Sequence, residues 1–284
     1  MDTLYSVRRM LVLTDFSVPA WNAALYAAGL TRQLKATDFM LYHSDEWILM
    51  PPMATTPAGT GFVESPEQSP ERISELKNEL EKYMDPEIRI EVRTDERTLV
   101  TAVNTLVGQQ HIGLVVAGVT GKSKLERVLI GSNALDLARN CVAPLLIVPF
   151  GAFFKSIKKI VFACDLKQVS QTTPFYAIKA FVKALDANLL ILNVDRDGAH
   201  FDPDTINEMT DLHQLWDAQH PEYHYTDHKD TAIGIMEFAK KNKADLVITV
   251  PKIYGFFESL FHRGVTEQLA FHTDLPLLLF RENI

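Results

Sequence analysis

The apolar segments of this 284-residue chain occur twice, in the same order and at nearly constant spacing. Residues 160–164 (IVFAC) repeat residues 9–14 (RMLVLT) 150 positions later, and an aspartate follows each run directly. Residues 246–250 (LVITV) repeat residues 114–118 (LVVAG) at a spacing of 132. A repeat of this length is typical of a duplicated domain rather than of a solenoid unit. The two halves of the chain are therefore expected to have the same fold.

Within the first half, short apolar runs alternate with segments of helical periodicity. The predicted strands are 9–14, 39–43, 88–92, 114–117 and 145–148, and the predicted helices are 20–34, 71–84, 98–107 and 132–140. Wholly apolar runs are typical of strands covered on both faces of a parallel sheet, so the pattern predicts an α/β domain. Residues 88–92 alternate apolar and charged side chains, which predicts a strand at the edge of that sheet.

Two segments show neither periodicity and divide the chain. Residues 47–70 are rich in Pro, Thr, Gly and Ser, which predicts a long loop after the second strand. Residues 149–156 form a short linker, so we expect one domain over 1–149 and a second over 156–284.

Composition excludes several classes of function. The net charge of −8 and the pI near 5.6 argue against a general nucleic-acid-binding surface, which needs clustered positive charge. No apolar run reaches the roughly 18 residues of a membrane span, and we expect a cytoplasmic protein. The two cysteines, Cys141 and Cys164, lie in or beside apolar segments, which predicts buried thiols.

The stretch from Gly118 to Ser132 carries the clearest functional signal. It places two glycines directly after the fourth strand and a Gly-Ser pair at the start of the next helix, in the spacing G-x-x-G-x9-G-S. Glycines allow the backbone N–H groups to converge on an anion, and a helix N-terminus favours negative charge. We interpret this stretch as a phosphate-binding loop, although glycines that only form turns are the alternative.

A Walker A loop is a second interpretation of the same stretch, because residues 121–123 read Gly-Lys-Ser. That motif requires a glycine at position 116, where this chain has Val116, and it normally follows the first strand of a domain. We therefore reject it.

Taken together, Asp-Phe-Ser at 15–17, the G-x-x-G-x9-G-S spacing and the final Pro-Leu-Leu-Ile-Val resemble the universal stress protein family in a tandem form. The resemblance covers nearly the whole chain. It implies two tandem doubly wound α/β domains, each a five-stranded parallel sheet of order 3-2-1-4-5 with helices on both faces. It also implies that ATP, accompanied by Mg²⁺, is bound at the carboxyl ends of the strands, as in some members.

The family's binding residues transfer by position onto the first half. Thr14 and Asp15 would contact the adenine or ribose, Ser44 would line the base pocket, and Ala117 and Gly118 would meet the ribose and α-phosphate. The resemblance assigns the phosphates to Gly121, Gly131, Ser132 and Asn133, with Lys122 in an assisting position. It identifies no catalytic residue and implies slow ATP hydrolysis or none.

The second half departs from the family motif. Alignment on Pro276 puts Val250, Ile253, Arg263 and Gly264 at the loop positions, so three of the four motif residues have changed. β-Branched residues where an open backbone is needed make a phosphate loop unfavourable, and we expect this half not to bind ATP. Phe256, Phe257 and Phe261 in the same loop are expected to pack or to form an interface.

Histidines recur at positions 220, 224 and 228, with His213 nearby. On a helix this spacing would suggest a metal site, but Pro221 and the alternating Tyr223 and Tyr225 predict a strand. We therefore expect no metal site and expect His224 to face solvent.

The sequence as a whole predicts a stress-response regulator that binds ATP in its first half. The two halves are expected to pack as an intramolecular pseudo-dimer through 145–148 and 277–280, with a further homodimer possible and a protein partner of unknown identity. Two alternatives remain open. One is a nucleotide-free interaction scaffold, and the other is a protein that binds another small or lipid-like ligand.

Overall fold

The computed structural model describes residues 5–45, 69–119, 132–195, 203–251 and 275–282. In the first half, strands and helices alternate: β1 (Arg9–Leu13), α1 (Val18–Leu34), β2 (Asp38–Ser44), α2 (Ser69–Glu81), β3 (Arg89–Asp95), α3 (Leu99–Gln110), β4 (Leu114–Val119), α4 (Ser132–Asn140) and β5 (Leu145–Pro149). These elements agree with the predicted order, and most differ from the predicted bounds by one to three residues.

The second half begins with β6 (Lys159–Ala163), followed by α5 (Val169–Thr172), α6 (Phe175–Leu185) and β7 (Asn188–Asp195). It continues with α7 (Pro203–Trp216), a short 3-10 helix (Asp217–Gln219), β8 (Glu222–Asp227), α8 (Thr231–Lys241), β9 (Leu246–Thr249) and β10 (Leu277–Leu279). Where the first half has the single helix α1, the second has two short helices, α5 and α6.

All ten described strands form one sheet, in the order β3-β2-β1-β4-β5-β10-β9-β6-β7-β8. Each half therefore has the order 3-2-1-4-5 that the resemblance implied. Pairing is parallel within each half, and β5 and β10 pair antiparallel, with Leu146 opposite Leu278. The segments expected to join the halves are thus the ones that pair, and β3 lies at an edge as the alternating pattern predicted.

The helices cover both faces of the sheet and bury one apolar cluster on each. Helices α1, α2, α6 and α7 pack on one face, and α3, α4 and α8 pack on the other. Both clusters continue across the junction of the halves, so the hydrophobic effect stabilises the sheet as one unit. The thiols of Cys141 and Cys164 are buried, as expected, and burial raises the pKa of Cys141 to about 11.

Two side chains of α1 bind the linker and the second half. The Asn22 amide donates to the carbonyl oxygens of Pro149 and Ala152 at 3.3 and 3.1 Å. The Gln33 amide donates to the carbonyl oxygens of Ile157 and Leu185, and its oxygen accepts the N–H of Ile157 at 2.9 Å. Within the described ranges, no helix is both long and apolar enough to cross a membrane.

The histidine segment forms the predicted strand, β8, but one expectation about it was wrong. His224 does not simply face solvent: its ring lies 4.8 Å from that of Phe238 on α8, and its Nε2 is buried. The pairing of β7 with β8 makes His224 the counterpart of Arg93 rather than of Arg89. Phe238 of α8 covers this face of the edge strand. The alternation of residues within the strand could not reveal a contact with another element.

Candidate functional site

In the first half, the order in which the chain adds strands to the sheet reverses at β1. From β1 the chain proceeds outward to β2 and β3, and it then returns to place β4 on the other side of β1. In open parallel sheets, ligands bind outside the carboxyl ends of the strands at such a switch point. Three of the predicted site residues, Thr14, Asp15 and Gly118, lie at these carboxyl ends.

A tight turn connects β1 to α1. Thr14 is buried; its N–H donates to the Tyr42 carbonyl at 2.9 Å, and its Oγ1 accepts the N–H of Phe16 at 3.0 Å. Asp15 is exposed, and its Oδ1 accepts the N–H of Ser17 at 3.0 Å. Asp15 therefore orders the turn and also places a carboxylate at the surface of the switch point.

A cluster of Phe16, His43 and Arg72 that the sequence analysis missed lies beside this turn. The Phe16 ring lies 4.5 Å from the His43 ring, centroid to centroid, and the Arg72 guanidinium lies 4.2 Å over the centroid of Phe16. His43 is held from both sides: its Nδ1 lies 2.7 Å from the Thr14 carbonyl oxygen and its Nε2 lies 3.3 Å from Asp45 Oδ1. An aromatic residue directly after Asp15 was the available signal.

The carboxyl ends of β2 and β3 carry a polar network. The Tyr42 hydroxyl donates to Asp95 at 2.9 Å, Arg97 forms an ion pair with Asp95 at 2.5 Å, and the Ser44 hydroxyl donates to the Arg97 carbonyl at 2.8 Å. Partial burial alone would raise the pKa of Asp95, but the hydrogen bonds from Arg97 and Tyr42 outweigh it and lower that pKa. Ser44 thus lies near the predicted base pocket, and its hydroxyl group already donates a hydrogen bond to the Arg97 carbonyl.

Ala117 and Gly118 have structural roles of their own. Ala117 is buried in one of the two apolar clusters. A Cβ at position 118 would collide with the carbonyl oxygen of Pro19, in the first turn of α1. Glycine is therefore required at position 118 for close packing of α1 against β4. Contact of Ala117 or Gly118 with a ligand stays a prediction.

The predicted phosphate loop is only partly within the described residues. Gly121, Lys122 and Gly131 lie outside them. Ser132 and Asn133 begin helix α4, as the sequence analysis expected, and only their backbone is described. In the second half, Ile253, Arg263, Gly264 and the three loop phenylalanines also lie outside the described residues.

The second half repeats the turn. Asp165 Oδ1 accepts the N–H of Lys167 at 3.2 Å, as Asp15 does for Ser17. Leu166 has the same left-handed backbone as its counterpart Phe16, with φ of 52° against 62°. The Asn193 amide donates to the Cys164 carbonyl at 2.9 Å, at the position where His43 contacts that of Thr14.

Three positions at the second carboxyl end carry less polar side chains than their counterparts in the first half. Leu192 and Val194 replace Tyr42 and Ser44, and by strand register Thr226 replaces Asp95. Val250 stands at the position of Gly118 and is buried. The second half therefore lacks the counterparts of the polar network and of the glycine that admits α1.

One small cavity lies at the junction of the halves, where the end of α4 meets the ends of β9 and β10. Its volume is about 40 Å³, and its lining includes Arg139, Cys141, Pro251 and Arg281. A cavity of this size holds a few water molecules and is far smaller than a site for a nucleotide.

Comparisons with known proteins agree with this architecture. A model described as the universal stress protein family matches residues 6–149, just over half of the chain. No curated protein matches the chain.

Solved structures resemble the chain over its whole length. A universal stress protein from Archaeoglobus fulgidus DSM 4304 has a TM-score of 0.71 at 15% identity, covering 97% of this chain and 98% of its own. A putative universal stress protein from Pseudomonas aeruginosa UCBPP-PA14 has a TM-score of 0.58 at 12% identity, covering 98% and 95%. A functionally unknown protein from Pseudomonas aeruginosa PAO1 has a TM-score of 0.58 at 11% identity, covering 99% and 95%. At these identities the likeness establishes the fold.

Proposed function

The chain belongs to the universal stress protein family, and we propose that its first half binds ATP as a regulatory ligand while its second half binds none. The observation that carries the proposal is the difference between the two carboxyl ends. At the switch point, the first half presents exposed Asp15 beside a polar network, and helix α4 begins at Ser132 directly after the glycine motif.

The proposed pose follows the order of the strands. The nucleoside lies over the ends of β1 and β2, near Thr14, Asp15 and Ser44. The triphosphate lies toward β4 and the N-terminus of α4, where backbone N–H groups and the helix dipole favour negative charge. Mg²⁺ accompanies the nucleotide chiefly through the phosphate oxygens.

Regulation rather than turnover is the proposed use of the nucleotide. Phosphoryl transfer needs a base near the γ-phosphate and carboxylates that hold the metal ion. Asp15 is the obvious acid at the switch point, and its Oδ1 already accepts a hydrogen bond within its own turn. ATP bound here changes the population of conformers that a partner recognises, and hydrolysis is slow or absent.

We further propose that the halves act as an intramolecular pseudo-dimer in the cytoplasm. The antiparallel pairing of β5 with β10 and the bonds of Gln33 to the second half support this arrangement. A protein partner, or a second copy of the chain, would then bind the assembled pair.

Calorimetric titration with Mg-ATP tests the nucleotide proposal. We expect one site per chain, strongly weakened by Gly131→Arg, which introduces the residue of the second half. Asp15→Asn should weaken binding, whereas Asp165→Asn, in the equivalent turn, should not. Mass spectrometry of ligand extracted from the purified protein identifies any other occupant. Binding of ATP that is unchanged by Gly131→Arg, or the absence of binding, would refute the proposal and favour the scaffold.

A further inference from the structure

One surface at the junction of the halves is rich in positive charge. The Gln33 amide, near the end of α1, donates to the carbonyl oxygens of Ile157, just after the linker, and Leu185, the last residue of α6, at 2.7 and 2.8 Å. The ends of these three segments therefore meet. Together, six cationic residues on them form the basic patch, five of them exposed and one partly buried: Arg32, Lys35, Lys155, Lys158, Lys183 and, partly buried, Lys159.

The cations of the basic patch have few local counter-charges. Within the described residues, none of the six side chains forms an ion pair. Two carboxylates lie beside them, those of Asp186 and Asp245. The carboxylate of Asp245 accepts the backbone N–H groups of Lys158 and Lys159 at 2.8 and 2.9 Å. Positive charge is thus in excess on one surface of a chain whose net charge is −8.

The first half neutralises the corresponding position at the start of its own first strand. Arg9 begins β1 as Lys159 begins β6. The Arg9 guanidinium lies 3.2 Å from the carboxylate of Asp38 and 3.8 Å from that of Glu91. Asp38 is the residue opposite Arg9 in the strand register, whereas Asn188 is the residue opposite Lys159. The second half therefore lacks this counter-charge.

The stability of the helices explains only part of the basic patch. Cations in the last turn of a helix interact favourably with the helix dipole, which accounts for Arg32 in α1 and Lys183 in α6. Lys155 and Lys158 lie between β5 and β6, outside any described helix. The helix dipole therefore does not account for these two lysines.

An exposed aromatic ring adjoins the basic patch. Phe153 lies two residues before Lys155, and 74% of its surface is exposed. The next residue, Phe154, packs on α1 instead, where its ring lies 5.3 Å from that of Tyr26. Aromatic side chains are enriched where protein surfaces bind a partner. The surface thus offers an apolar contact beside its positive charges.

We propose that the basic patch and Phe153 bind a short acidic segment of a partner protein, with an apolar side chain of that segment against the Phe153 ring. The carboxylates of the segment supply the missing counter-charges. A membrane or a nucleic acid is an extended anionic surface, so it would also meet the negative charge of the rest of the chain. A short segment stays within about 8 Å of the patch, the distance over which salt screens charge.

This inference rests on the proposed packing of the halves as a pseudo-dimer, because both halves contribute to the basic patch, and it does not depend on ATP binding. It names the surface and the chemistry by which a protein partner recognises the assembled pair.

Fluorescence polarisation with a labelled peptide tests the surface. The peptide consists of glutamates around a central leucine, and a second peptide has glutamines in place of the glutamates. We expect wild-type protein to bind the glutamate peptide, more weakly as salt rises, and to bind the glutamine peptide far more weakly. Lys155→Glu combined with Lys158→Glu should weaken binding of the glutamate peptide about tenfold, because two attractions become repulsions.

Lys229→Glu combined with Lys241→Glu is the matched control. Both lysines are exposed and lie at the two ends of α8, on the opposite face of the sheet. This double variant has the same change in net charge, and its affinity for the glutamate peptide should stay within about twofold of wild type. Phe153→Ser should weaken binding of that peptide about threefold and leave binding of a peptide of glutamates alone unchanged.

Three results would overturn the inference: equal weakening by the two double variants, equal binding of the glutamate and glutamine peptides, or tighter binding of wild type to phosphatidylserine vesicles or single-stranded DNA than to the glutamate peptide. Small-angle X-ray scattering separates this inference from the pseudo-dimer. Halves that are apart in solution would overturn both, whereas packed halves that bind no glutamate peptide would overturn this inference alone.

Discussion

The two halves share one topology but differ at the carboxyl ends of their strands. In the first half, Tyr42, Ser44 and Asp95 take part in a network of hydrogen bonds, and in the second half Leu192, Val194 and Thr226 stand in their places. The turn after the first strand of each half is nearly the same. A doubly wound sheet therefore tolerates different side chains at the carboxyl ends of its strands without a change of topology.

The first helix also differs between the two halves. Helix α1 runs unbroken for 17 residues, and its first turn packs against Gly118. Its counterpart is divided into α5 and α6, where Val250 replaces that glycine and Pro174 interrupts the helix. The start of α5 is stabilised by Glu208 of α7, whose carboxylate accepts the N–H of Val169 at 2.7 Å. Its counterpart in α2, 132 residues earlier, is Leu76, which packs on the apolar cluster.

The largest effect is expected from Gly118→Val, which gives the first half the residue of the second. The new side chain would collide with the backbone of α1 at Pro19, so we expect a loss of about 3 kcal/mol in the free energy of unfolding. Chemical denaturation measures the loss, and hydrogen exchange should show weaker protection in the first turns of α1.

Gly108→Val is the matched control, because a Cβ at Gly108 in α3 meets no atom within 4 Å. We expect that substitution to be neutral or slightly stabilising, since valine favours a helix more than glycine does. Equal losses from the two substitutions would show that Gly118 is not required for close packing of α1.

Much of this architecture could be predicted because it depends on local patterns. Apolar runs and the repeat predict the strands, and the alternation from Ile88 to Val92 correctly predicts an edge. The cluster of Phe16, His43 and Arg72 could not be predicted, because residues distant in sequence meet only when the turn, β2 and α2 are folded. His224 was misjudged for the same reason, since its neighbour Phe238 belongs to another element. Pro174 was a visible signal for the divided helix.

The next effect concerns the divided helix. Glu208→Leu, which introduces the residue of the first half, removes the acceptor for the buried Val169 N–H, and we expect a loss of about 1–2 kcal/mol. Glu208→Gln retains an acceptor oxygen and should lose much less. Urea unfolding of both variants measures the difference. If the two variants were equally stable, the bond from Glu208 would not be what stabilises the start of α5.

The smallest effect tests the polar network of the first half through pH. Because the native pKa of Asp95 is lowered, the unfolded chain binds the proton more tightly, and Asp95 stabilises the fold above its ordinary pKa of about 4. That stabilisation is lost as the pH falls through the lowered native pKa. Asp95→Asn should therefore lower Tm by about 2 °C or less at pH 7, and the difference from wild type should shrink as the pH falls below about 4. Thr226→Ala, at the equivalent position of the second half, replaces a group that does not titrate, so its effect on Tm should not change over this range. A difference between Asp95→Asn and wild type that kept the same size from pH 7 to low pH would mean that the carboxylate charge contributes nothing to stability.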